Sequence, residues 1–310
     1  MELAHIPLKH INIKNTDFRY RTYLTDESLT RTMKKSGLCD PVCLLKQDNS
    51  FLIIDGFKRI HALCEHFPSS FPVPAVTLKE KELTWKIHLA LVLKQDKEGM
   101  LPFIEKVSAY LMFKKNHIIR DDAEILQALN LPDRADYHKI YTRLADLPEV
   151  WSRFFTDHTV PGRRIKAMCE AVDLKACTSL LNVMPGLNRM EQSIIMLSEI
   201  EKREGVSAGK ILQAVLDELH EDPIKPERVF LRIREIRYPL RSKYEKKVDD
   251  ALKALHPPPF VSAQCDKKGE RPGVEIVAHI QSPQDVEEFL SWFEKTKDSI
   301  NKLLNERLEL

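Results

Sequence analysis

Lys58 and Arg59 stand just after an Asp55-Gly56 pair in the stretch FLIIDGFKRIHALCEH, residues 51–66. A glycine between a short apolar run and a helical pattern is a β–α turn signal. Two cations in the first helical turn sit at the end that already carries partial positive charge. That placement makes chemical sense if the turn faces an anion. Helix N-terminal amides, a glycine that lets the backbone approach, and two cationic side chains together suit phosphate oxygens. Gly56, Lys58 and Arg59 are therefore candidate phosphate ligands, with Arg19 or Arg21 as further cations for the same pocket.

A second set of residues suits double-stranded DNA. DDAEILQALNLP (121–132) reads as a short helix with acids at its start and a proline past its end. RADYHKIYTRLADLP (134–148) follows after a tight turn. Two short helices so connected are the pattern of a helix-turn-helix, whose second helix presents its first residues to base edges in the major groove. On this reading Arg134, Tyr137, His138, Lys139, Thr142 and Arg143 belong to the reading helix and its lead-in. Lys114, Lys115 and Arg120 suit phosphates and would set register, and Arg163 and Arg164 in RRIK (163–166) extend the basic surface. Asp133 and Asp136 count against this assignment, because they repel phosphate.

Cys39, Cys43, His61, Cys64 and His66 include an allowed zinc spacing. Cys43 falls inside an apolar strand and Cys64 among apolar neighbours, however, and small buried hydrophobes are the usual role of free cysteine. No metal site is expected. A compact acidic cluster for two-metal hydrolysis is also missing from the sequence.

The elements that would position these residues divide in three. Residues 1–100 are mixed: PVCLL (41–45) and FLIID (51–55) read as a strand pair, PVPAVTL (72–78) as a further strand, and DESLTRTMKKSG (26–37) as a helix ended by Gly37. Residues 101–225 are helical, opening with PFIEKVSAYLMFKKN. In NRMEQSIIMLSEIEKREG, Asn188 and Glu191 have capping-box spacing. EDPIKPE (221–227) breaks the pattern. Residues 226–310 hold a basic helix interrupted near Pro239, two strands around the turn DKKGERPG, and a helix started by Ser282, Pro283 and Asp285. Val274, Ile276, Ala278 and Ile280 share one strand face. Val286, Phe289, Leu290 and Phe293 form a helical stripe that needs a partner, and a second copy would supply one.

Composition agrees with a helical, globular chain. Of 310 residues, 43% are hydrophobic and 30% charged, with 9 glycines against 18 prolines. Apolar runs are far shorter than a membrane span, the N-terminus lacks a signal-peptide pattern, and six cysteines are too sparse for a disulfide scaffold. A cytoplasmic protein with reduced thiols is expected. The net charge is only +2, but Lys225–Lys253 carries ten Lys/Arg against five Asp/Glu. Such local basic patches fit an anionic partner or a solvated face.

The order of these parts resembles the ParB family of chromosome and plasmid partition proteins. SGLCDPVCLL (36–45), IIDGFKRIHAL (53–63), LPFIEKVSAY (101–110), ILQALNLPDRADYHKIYTRLADLP (125–148) and VEIVAHIQSPQDVEEFL (274–290) are similar to successive family segments. The resemblance implies a multidomain α+β protein: a ParB/sulfiredoxin-like N-terminal domain, an all-α helix-turn-helix domain, and a small β-β-α dimerisation domain. It implies CTP with Mg2+ at the glycine turn, DNA and a homodimer as partners, and a nucleoid-associated role beside a partition ATPase. Gly56 and Arg59 keep their places in the glycine motif, and Lys58 stands for an arginine. Phe57 replaces a glutamate and His61 an arginine, so binding is implied without hydrolysis. The family's later asparagine–x–x–arginine segment would fall in LKQDKEG (93–99), which does not align with it. Sulfiredoxin itself would need a cysteine in the glycine turn, and none lies there. The remaining alternatives are a site-specific transcriptional regulator with a vestigial pocket and a fold-related phosphotransferase.

Overall fold

A computed structural model describes residues 1–96, 100–116, 121–219, 225–265 and 274–308. Four expectations fall outside them in whole or in part: residues 97–99 of LKQDKEG, Arg120, residues 221–224 of EDPIKPE, and the DKKGERPG turn. The chain is mixed α+β and divides into two compact units. One comprises Met1–Glu201 with Val206–Ala214, the other Lys202–Gly205 with Val215–Leu310.

The first unit begins with a five-stranded sheet. Its strands are β1 (Glu2–Pro7), β2 (Ile11–Asn12), β3 (Val42–Lys46), β4 (Phe51–Asp55) and β5 (Pro72–Leu78), in the order β1-β5-β3-β4-β2. β3 runs antiparallel to β4, as the apolar pair around KQDNS predicts, and parallel to β5. Four successive residues of β3, Val42 to Leu45, are buried, so this central strand is covered on both faces. α1 (Glu27–Ser36) is capped by Asp26, whose carboxylate accepts from the amides of Ser28 and Leu29. Those bonds hold the Asp26 carboxyl below its ordinary range. Gly37, at φ 72°, ends the helix by donating its amide to the Met33 carbonyl. α2 (Phe57–His66) buries Phe57, Ile60, Ala62 and Leu63. Cys43 is buried, and burial pushes its thiol up to about 12. Cys64 lies on the exposed side of α2 rather than among apolar neighbours.

Helices follow: α3 (Trp85–Gln95), α4 (Phe103–Lys115), α5 (Asp122–Ala128), α6 (Ala135–Ala145), α7 (Glu149–Asp157), α8 (Gly162–Ala171), α9 (Leu180–Val183), α10 (Leu187–Glu204) and α11 (Ala208–Leu219). Tyr110, Phe113, Tyr141, Trp151 and Phe155 are fully buried among them. The first unit runs through residue 100 because residues 16–23 are laced onto α4 and α7. The Thr22 amide donates to Glu105 Oε1 at 2.9 Å, the Thr22 and Thr156 hydroxyls pair at 3.0 Å, and the Tyr23 hydroxyl donates to Asp157 at 2.6 Å. One helix start differs from expectation. α10 begins at Leu187, and Asn188 and Glu191 both accept from Arg164 of α8 instead of forming a capping box.

In the second unit α12 (Pro226–Arg237) and α13 (Pro239–Ala254) meet at the predicted proline interruption. β6 (Val261–Cys265) and β7 (Val274–Ala278) pair antiparallel, and α14 (Pro283–Leu308) follows. Val248, Leu252, Leu255, Val261, Trp292 and Ile300 form its core, with Val274, Ile276, Ala278 and Phe289 packed against it. Ser282 and Asp285 exchange cap bonds as expected. Ile280 lies beyond β7 and is exposed. Of the helical stripe only Phe289 joins the core. Val286, Leu290 and Phe293 stay 40%, 58% and 37% exposed along one line of α14.

Candidate functional site

Two surfaces of the first unit gather the residues singled out in the sequence. The first is the cleft at the β4–α2 turn. Gly56 has φ 102°, a left-handed conformation that side chains rarely adopt. A Cβ there would lie 2.6 Å from Val42 Cγ1 and 3.2 Å from an Arg59 guanidinium nitrogen. The glycine is thus required by the backbone and by its neighbours. α2 starts without a side-chain cap, and its first helical bond runs from the Ile60 amide to the Gly56 carbonyl. The amides of residues 57–59 consequently have no partner within the helix.

A cleft of about 610 Å³ opens here, a size ordinary for small-molecule sites. Gly56, Lys58, Arg59 and Arg21 all line it, with Tyr20, Asp26, Asp40, Asp55, Lys94 and Gln95. The four sequence-chosen residues therefore converge. Their cations are in different states. Arg59 is a strut: Nη1 donates to the Asp40 and Pro41 carbonyls at 2.8 and 3.0 Å, and Nη2 to Asp55 at 2.9 Å. Lys58 Nζ stands 3.7 Å from Asp26, a loose pairing. Arg21 Nε lies 3.1 Å from the buried Glu105 Oε2, and its other guanidinium nitrogens have no partner among the described residues. Lys94 has none either.

Lys94 and Gln95 are the residues that sequence reasoning did not assign. They belong to the stretch LKQDKEG, and α3 carries them to the cleft. Behind them His88 of α3 is wholly buried between the rings of Phe18 and Phe113, at 5.3 and 4.9 Å. Neither of its ring nitrogens has a hydrogen-bond partner, and burial lowers its pKa to about 4. Arg19 turns away from the cleft, donating to the Arg21 and Thr22 carbonyls and to Glu149.

The second surface is built by α6 with α8. Gly162, at the start of α8, permits the Phe103 ring to approach so closely that a Cβ would meet it at 2.4 Å. The same Phe103 ring, from α4, lies 6.4 Å from the Tyr137 and Tyr141 rings of α6. Lys166 Nζ is 3.4 Å from Asp136 and 2.6 Å from Glu170. Arg134 grips Asp136 with Nε and Nη2 at 3.1 and 2.8 Å. The Tyr137 ring has the Arg134 guanidinium 5.7 Å and Lys166 Nζ 5.9 Å from its centre. His138 pairs with Asp133 at 2.7 Å, the Thr142 hydroxyl donates to the His138 carbonyl, and Arg143 donates to the Cys169 carbonyl at 2.6 Å. Lys114 pairs with Asp122 and Lys115 with Asp17, at 2.9 and 2.8 Å. Arg164 is held by Glu191 and Asn188. Among the described residues Lys139 and Arg163 alone of these candidates are exposed cations without a partner.

No protein-family model matches the chain. No curated protein matches it. A solved structure, the C-terminally truncated chromosome-partitioning protein ParB from Caulobacter crescentus complexed with CTP-gamma-S, is similar over 58% of this chain and 98% of that one. The identity is 18% and the TM-score 0.26. So low a score does not establish a common fold, and the functional reading stands on the two surfaces just described. No helix among the described residues is long and apolar enough to cross a membrane.

Proposed function

We propose that the chain is a ParB-like DNA-binding protein of DNA partition or nucleoid organisation, whose Gly56 cleft holds a nucleoside triphosphate. The observation that carries the nucleotide half is the convergence of Arg21, Gly56, Lys58 and Arg59 on one cleft, joined by the partner-free Lys94. Open α2 amides and a glycine that leaves the backbone bare suit phosphate oxygens. The family resemblance makes the nucleotide CTP. Mg2+ would arrive on the phosphates, because no group of three metal-binding side chains stands together among the described residues. Phe57 is buried and can neither orient water nor accept a proton, so binding without efficient turnover is expected.

The α6–α8 face would read DNA, with α6 in the major groove and Arg163 on the backbone. The Val286–Leu290–Phe293 line would pair with a second copy, which would present two such faces to a palindromic site. The commitment of Arg59 to Asp55 and two carbonyls favours a second reading, a transcriptional regulator whose glycine turn is only structural.

Isothermal titration with the four ribonucleoside triphosphates, with and without DNA retained by the protein, separates the two. Heat with CTP that is lost in the Lys58→Ala, Lys94→Ala variant supports the nucleotide switch. No heat with any triphosphate leaves the regulator. A monomer by sedimentation at micromolar concentration would remove the dimeric reader from both.

A further inference from the structure

We propose that Asp136 is a specificity-determining residue of the α6 face, holding Arg134 in reserve so that a neutral base edge can claim it and a phosphate cannot; this rests on the DNA-binding reading above. Arg134 stands at the N-cap of α6 with its side chain 68% exposed. Its Nε and Nη2 both point at the Asp136 carboxylate. That pair of parallel donors is one of the two guanidinium edges that can meet the O6/N7 edge of a guanine. In the free protein the carboxylate occupies it.

Two kinds of acceptor can compete for the fork. A phosphate also takes two donors, but it carries charge to within a few ångströms of Asp136, and like charges so placed repel. A guanine edge offers two acceptors and no net charge. Asp136 therefore raises the cost of the wrong contact more than that of the right one, which is how discrimination is built against an alternative.

Releasing Arg134 would strand a carboxylate if Asp136 had no other partner. Lys166 supplies one, with Nζ at 3.4 Å from the Oδ2 that Arg134 Nη2 holds. The Tyr137 ring supports both cations. Lys166 also pairs with Glu170, at 2.6 Å, so it is a shared counter-ion that keeps Asp136 from being stranded when Arg134 leaves.

The test uses the full chain and two duplexes of equal length and composition. One is enriched by the wild-type protein from a random-sequence pool, and the other is a shuffled version of it. Asp136→Asn should tighten the shuffled duplex by roughly tenfold and shrink the preference for the enriched one by a similar factor. Its binding to the shuffled duplex should also become more salt-dependent. Asp136→Ser, which also removes the charge from the first turn of α6, should do the same, and thermal melts of both variants check that folding is not at issue. Lys166→Gln should weaken the enriched duplex in the wild-type background and have a smaller effect beside Asp136→Asn. Equal shifts on both duplexes, or additive effects of the two substitutions, would overturn the proposal while leaving DNA binding intact. If the wild-type chain enriches no duplex, the DNA-binding reading itself fails.

Discussion

In the Gly56 cleft Arg59 is tied down by three bonds, Arg21 and Lys58 each face one carboxylate with donors to spare, and Lys94 has no partner among the described residues. On the α6–α8 face the proportions are reversed. Arg134, Arg143, Arg164 and Lys166 are each held by a carboxylate or a carbonyl, as are Lys114 and Lys115 at the end of α4, and Lys139 and Arg163 are left over. Both regions read as basic in the sequence. The contrast shows that a count of cations reports how much charge is present and says little about how much is available. Open donors can meet an anion directly; a face of matched pairs must exchange partners before it can bind one.

The largest effect should come from the residue on which the cleft depends. Gly56→Ala places a methyl group 2.6 Å from Val42 Cγ1 in a left-handed conformation. Strain and overpacking together should lower stability by about 2–4 kcal/mol, read by chemical denaturation. An unchanged midpoint would mean that the turn relaxes easily and that its glycine has some other purpose.

That glycine and the strands beside it were legible because their signals are local. The Asp55-Gly56 turn, the β3–β4 pair, the Asp26 and Gly37 ends of α1 and the break at Pro239 all lie where sequence patterns put them. What could not be read depends on partners far along the chain. β1 is a strand because it pairs with β5, some seventy residues away by register (Glu2 with Thr77). Asn188 and Glu191 have the spacing of a cap but are claimed by Arg164. Lys94 faces the cleft only because α3 packs as it does. The matching of Arg134 with Asp136 was half visible, since the acids were present in the sequence while their bonds were not.

The next effect concerns the helix that delivers Lys94. His88 is buried without hydrogen bonds, and its pKa falls from 6.5 to about 4 because burial disfavours the charged ring. A depressed folded pKa means that the unfolded chain binds the proton first as pH drops. The neutral ring is thus fully compatible with folding above about pH 6.5, and stability is lost as pH falls from there towards 4. The loss should be of the order of 3 kcal/mol, and His88→Phe should flatten that acid limb in a pH series of denaturation curves. If the limb is the same in the variant, the carboxylates dominate acid unfolding and His88 is not the group that loosens α3.

Within the cleft the contrast between strut and open donor predicts a division of effects. Arg59→Ala removes three hydrogen bonds that join the turn to residues 40, 41 and 55, and should cost about 1–3 kcal/mol of stability. Lys94→Ala removes no described bond and should leave stability within about 0.5 kcal/mol, while weakening triphosphate binding by roughly tenfold. Thermal melts and titrations on the same two variants make the comparison. Equal losses of stability would show that Lys94 is as structural as Arg59, and the cleft would then have fewer open donors than its geometry suggests.

The smallest effect should be found at the two unmatched cations of the other face. Lys139 and Arg163 are exposed and have no partner among the described residues, so replacing them breaks nothing inside the protein. Stability should move by less than about 0.5 kcal/mol. If each neutralises one phosphate, the slope of log affinity against log salt concentration should fall by about 0.9 for each residue changed to alanine, equally for enriched and shuffled duplexes. Lys114→Ala should do less, because Lys114 is already neutralised by Asp122 and offers the duplex little net charge. The salt slopes of Lys139→Ala, Arg163→Ala and Lys114→Ala therefore rank the cations by availability. A Lys114 variant that loses as much slope as the other two would mean that surface pairs give way to DNA at no cost. Free and matched cations would then be equivalent on this face, and the difference between the face and the cleft would be one of shape alone.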